Sequence, residues 1–255
     1  MALYFALGFC AFLAALLVYR YDLYEREPWY MIALAIVLGA AGMRIVGAIE
    51  LVSLVLVDSY VAVAALAALH EEAARIVLVL GIALVFPRQF NDPMDGIVYG
   101  SMVGLGMALE ESFYLLGLVA APDVLLLPVE LVRLLGHLVM AGIAGFGIGL
   151  ARARVPGWPS QLIRCVAIAF LLHFLWDWIA LASDTTSLTS LQTMASIGLM
   201  LFGIVFYGSL VVVGSRLSKH VFAPMSETQL WGWPFTVFLS TNTARSVEDD
   251  RQPNE

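Results

Sequence analysis

Charge is what this chain has least of. Only 13% of its 255 residues are Asp, Glu, Lys or Arg, against about a quarter in a soluble domain. The thirteen Lys and Arg are scattered and form no basic stripe, which sets nucleic-acid partners aside. Cysteine is scarce too: Cys10 and Cys165 both lie in apolar stretches, so no disulfide framework is indicated. The opening MALYFALGFCAFLAALLVY lacks a basic leading region and a clear small-residue cleavage site. It predicts a retained first span rather than a removed signal peptide. No repeat period and no second domain is visible.

Apolar length, by contrast, is abundant. The chain is 61% hydrophobic, with a mean hydropathy of +0.90. A hydrocarbon core of about 30 Å takes roughly 20 helical residues. Seven stretches are long enough, near 2–19, 29–57, 61–85, 96–121, 124–151, 162–183 and 188–214. The expected fold is therefore an all-α polytopic membrane bundle of about seven transmembrane helices over 1–215. A polar tail, 216–255, follows, and its end "SVEDDRQPNE" predicts partial disorder. Between the third and fourth spans, "FPRQFNDPMD" predicts a loop from its prolines.

Basic residues alternate by connection. Arg20 and Arg26, Arg88, Arg152 and Arg154, and Arg216 and Lys219 mark the first, third and fifth connections and the tail, while the other turns carry none. With seven spans all of these fall on one side. The positive-inside rule makes that side the cytoplasm, so the N-terminus is expected out and the C-terminus in. This describes a multi-pass protein of the cell membrane, with the lipid bilayer as its first partner.

Ionisable residues inside the spans are costly and mark function by default. Glu71 and Glu72 lie near the middle of the third span, Glu110 and Glu111 in the fourth, His137 in the fifth and His173 in the sixth. Four consecutive helices thus bring acids and histidines to about one level. Glu71 and Arg75, four apart, share a face, whereas Glu72 is rotated by about 100°. Glu130, Arg133 and His137 make one face of the fifth helix polar, and His173 is four residues from Asp177, which is placed to fix its tautomer. Arg44 and Glu50 read as structural or snorkelling residues. "YEREPWY" reads as a solvated cytoplasmic loop, and His220 as a solvated tail residue.

Five segments in order resemble the PrsW family of intramembrane proteases, relatives of the CAAX prenyl endopeptidases and bacteriocin-processing enzymes. They are "YDLYEREPWY", "HEEAAR", "NDPMDGIVYGSMVGLGMALEES", "RLLGHLVMAGIAGFGIG" and "LLHFLWDW", covering about residues 20–180. The resemblance implies hydrolysis of a peptide bond in or near the membrane, in a membrane-anchored protein such as an anti-sigma factor. Carried over by position, the catalytic residues it implies are Glu71, Glu72, Arg75, Glu111, His137 and His173; Glu110, Arg133 and Asp177, read from the chain itself, stand in support. Met107, Ser112 and Asp177 depart from the family pattern, where Phe, Asn and Asn are usual.

Such chemistry needs an activated water, an oxyanion stabiliser and a proton for the leaving amine. Glu71 or Glu72 suits the base, and His137 or His173 can orient the water. Kinship with the CAAX endopeptidases tips this toward a metal-free site. A divalent metal such as zinc stays open, held among Glu72, Glu111, His137 and His173, since two His and a Glu suffice for a catalytic zinc. Two other functions use the same residues: a proton-coupled transporter, and a catalytically silent binding or immunity protein that keeps the fold.

Overall fold

The computed structural model describes residues 1–119, 124–181 and 190–222. Seven α-helices run through them: α1 Ala2–Tyr21, α2 Trp29–Ser53, α3 Tyr60–Val85, α4 Pro93–Leu118, α5 Leu127–Arg152, α6 Trp158–Leu181 and α7 Ser190–Phe222. One-turn 3-10 segments, Leu54–Leu56 and Val124–Leu126, follow α2 and precede α5. Five helices are long and apolar enough to cross a membrane: α1, α2, α5, α6 and, over Leu191–Lys219, α7. The other two, α3 and α4, carry Glu71, Glu72 and Arg75, and Asp95, Glu110 and Glu111.

The interior is mainly apolar but also buries ionisable groups, whereas many large apolar side chains are exposed. On α1, Leu3, Leu7, Ala11, Ala15 and Val18 turn inward at helical spacing, whereas Phe5, Phe9 and Phe12 are exposed. An apolar exterior of this kind fits a lipid solvent. The centre is the antiparallel pair α4 and α5, buried almost throughout 93–108 and 137–150. Small residues bring them together. A Cβ on Gly96 would overlap the Gly145 carbonyl oxygen, and one on Gly104 would overlap that of His137. The close approach, of the small-xxx-small kind, sets the α5 backbone at His137 directly against α4.

Several boundaries differ from expectation, among them the end of α2 at Ser53 rather than near 57. α4 starts at Pro93, inside the expected loop, because "NDPMD" is a helix start. Asp92 accepts from the Met94 and Asp95 N–H groups, Asp95 accepts from the Asp92 N–H at 2.8 Å, and Pro93 takes the first helical position. α6 starts at Trp158, four residues early, after a turn with Arg154 and Gly157 at positive φ. α7 runs on to Phe222, so Arg216 and Lys219 stand on its last turns rather than in a tail. Residues 223–255, where the disordered tail is expected, lie outside the described residues.

The α1–α2 connection is not a solvated turn. Asp22 and Glu27 are buried against the α4 start, where Asp92, Asp95 and Tyr99 are buried too. The Tyr99 hydroxyl donates to Glu27, the Glu27 N–H to Asp22, and the Ser218 hydroxyl to Asp92.

Candidate active site

Helix α3 contributes the site's fixed cation. Glu71, Glu72 and Arg75 are all buried, and Arg75 is the largest fully buried side chain among the described residues. Its NH2 donates to Glu71 Oε2 at 2.9 Å and its NH1 donates to Glu72. Spacings of three and four residues let one guanidinium reach both carboxylates, so Glu72 does not point elsewhere.

Both histidines close on this clamp. Arg75 NH2 is 2.8 Å from His137 Nδ1, and NH1 is 3.3 Å from His173 Nδ1. Each ring has a carboxylate at one nitrogen: Glu111 Oε2 lies 3.0 Å from His137 Nε2, and Glu72 Oε1 lies 3.0 Å from His173 Nδ1. A carboxylate only accepts, so Glu111 and Glu72 favour a ring proton on the nitrogen beside them, with Asp177, 3.4 Å from His173 Nε2, competing at the second ring. The opposite nitrogens, His137 Nδ1 and His173 Nε2, then turn toward one oxygen, Glu71 Oε2, at 3.8 and 3.7 Å. Donor atoms of Glu71, His137 and His173 all lie within 4.8 Å of one another.

Around this trio is a cavity of about 470 Å³. Its polar wall includes Glu50, Glu71, Glu111, Arg133, His137, His173 and Asp177, and its apolar wall includes Leu172, Trp176 and Met200. The lining comes from the last turns of α2, α4 and α6 and the first half of α3, α5 and α7, so it sits in one half of the bundle.

A family model described as PrsW family intramembrane metalloprotease matches residues 27–212. The chain belongs to the PrsW family. "Protease PrsW" of Geobacillus kaustophilus (strain HTA426) is 37% identical over 99 residues, 38% of this chain and 42% of that protein. The match thus spans less than half of that PrsW relative. No solved structure matches.

The family description favours the metal-containing version over the metal-free one. The donor set fits it. Two imidazoles and a carboxylate are the ligands of many catalytic zinc sites, and a carboxylate on the far nitrogen of each ring is the usual outer support. The Arg75 guanidinium touches two of the three donors, Glu71 Oε2 and His137 Nδ1, so a metal would share those atoms with a fixed cation. The carboxylate of the trio is Glu71 rather than Glu72, which is taken up by Arg75 and His173.

The other expected residues divide. Arg133 bridges to Glu130 on its own helix and, through Nε, to Glu111 Oε1 at 3.2 Å, so it braces Glu111. Asp177 is 3.4 Å from His173 Nε2, but the nearer carboxylate, on Nδ1, is Glu72. Glu110 is not part of the site: it faces α2 and pairs with Arg44 at 3.1 Å. Arg44 is, as expected, a mostly exposed structural cation. Glu50 lines the cavity, contrary to its sequence assignment. A usable signal is its place in the last turn of α2, the end of the bundle that also holds Glu111 and Asp177.

Proposed function

We propose that this chain is an intramembrane, metal-dependent endopeptidase that cuts a membrane-anchored protein in the outer half of the bilayer. The observation that carries it is the meeting of Glu71, His137 and His173, from three helices, at one cavity. In the proposed topology α3 and α4 also span the membrane, their charges facing inward, with the N-terminus out and the C-terminus in. The cavity half is then the outer half, because the Arg-bearing connections lie at the opposite end. An anti-sigma factor is the first substrate to try, as the family resemblance implies.

Glu71, His137 and His173 would hold the metal, which supplies Lewis-acid polarisation and an acidified water. Glu72 and Arg75 hold His173 and Glu71 in place. Glu111 Oε1 is held by Arg133, and Oε2 lies 3.0 Å from His137 Nε2. On the cavity wall beside His137, Glu111 would take a proton from water and return it to the leaving amine.

Metal analysis of the purified chain, with cleavage followed before and after chelation, tests this. Chelation and His173→Ala should each remove bound metal and cleavage together. Glu111→Gln should keep the metal while cleavage falls at least about a hundredfold, the lower range for acid–base groups. Cleavage by the chelated protein or by His173→Ala at the wild-type rate would overturn the proposal.

A further inference from the structure

We propose that Glu50 is a specificity-determining residue that selects substrates with a basic side chain just outward of the cut bond. The inference rests on the peptidase function proposed above and names a substrate class for the same cavity. Each of the other acids on the cavity wall has a cationic or imidazole neighbour. Glu71 has Arg75 at 2.9 Å, Glu111 has Arg133 at 3.2 Å, and Asp177 has His173 at 3.4 Å. Glu50 has no ion pair among the described residues, and its Oε1 is buried without a hydrogen-bond partner.

A buried carboxylate oxygen without a donor is costly. In a cavity that receives a peptide, a substrate ammonium or guanidinium supplies the missing donor. Position then says where that cation lies. Glu50 is in the last turn of α2, whereas Glu71 is three turns into α3. The two helices are joined by the short 54–59 connection at that end, so Glu50 stands nearer the end of the bundle than the Glu71, His137 and His173 trio. A substrate span threading the cavity meets Glu50 on the outward side of the cut. Positive residues are scarce on the outer flank of membrane spans, so demanding one there discriminates among the many spans of a membrane.

The experiment uses the full chain in lipid nanodiscs. Its substrates are N-acetylated single-span peptides randomised at the six outermost span positions, with products sequenced by mass spectrometry. Wild-type products should be enriched in Lys and Arg at one fixed position outward of the cut. Glu50→Gln should lower the ratio of basic to neutral residues there by about tenfold or more, the scale of one charged hydrogen bond. Glu50→Lys should move the preference to Asp and Glu, a reversal that loss of folding cannot produce. The inference is overturned if wild type shows no basic enrichment, or if both variants keep the wild-type ratio. If wild type releases no product from any peptide, the peptidase function itself fails and takes this inference with it.

Discussion

Two groups of buried acids sit at opposite ends of this bundle, and they are made tolerable in different ways. At the cavity end Glu71 and Glu72 share a fixed cation, Arg75. At the other end Asp22, Glu27, Asp92 and Asp95 are held by backbone N–H groups and the hydroxyls of Tyr99 and Ser218. A guanidinium keeps its charge at every accessible pH, so the first group always has a cation beside it. In the second, burial pushes the Glu27 carboxyl up to about 7, against the lowering effect of its hydrogen bonds, and pushes Asp22 well above the usual carboxylate range. One end has a permanent cation, whereas at the other burial favours the protonated forms of Glu27 and Asp22.

Removing the permanent charge should have the largest effect. Arg75→Met leaves two buried carboxylates without their cation and should cost about 3–5 kcal/mol of stability, read as unfolding in detergent. Arg75→Lys should recover part of it. Wild-type stability in Arg75→Met would show that Arg75 does not balance this end.

The proton-balanced end should respond to pH. Glu27 holds a proton to about pH 7 when folded, but only to about 4.3 when unfolded. Its contribution is therefore full below the unfolded value and lost as pH rises through about 7. Glu27 should lower stability by up to roughly 3 kcal/mol from pH 4.5 to 8, with Asp22 acting in the same direction, and Glu27→Gln should make the slope shallower. A wild-type profile that is level or rises over this range would break the distinction between the two ends.

The smallest effect belongs to an acid of neither kind. Glu110 pairs with Arg44, whose side chain is 70% exposed. Glu110→Ala should change stability by less than about 1 kcal/mol, measured in the same unfolding assay. A larger loss would place Glu110 in the buried network.

Much of the architecture is legible in the chain. The apolar runs predict seven helices, and the spacing of Glu71 from Arg75 predicts their pairing. Where reading along the sequence fails, a partner from elsewhere in the chain decides. "NDPMD" looks like a loop until Asp92 and Asp95 are seen to cap one another. "YDLYEREP" looks solvated because Tyr99, seventy-two residues on, is out of view. Glu110 and Glu111 are neighbours in sequence, yet helical rotation sends one to Arg44 and the other to Arg133. Glu50 has no charged neighbour along its own helix face, so nothing local marks it as a wall of the cavity.

By itself, then, the sequence determined that the chain is a helical membrane protein with ionisable groups at mid-span, because hydropathy and helical period are properties of single segments. Only the tertiary structure decided that Glu71 rather than Glu72 joins the two histidines, that Glu110 turns away, and that Glu50 faces the cavity. Those outcomes depend on which helices lie side by side. That is set by small residues such as Gly96 and Gly104, which admit close contact between chains of atoms far apart in sequence.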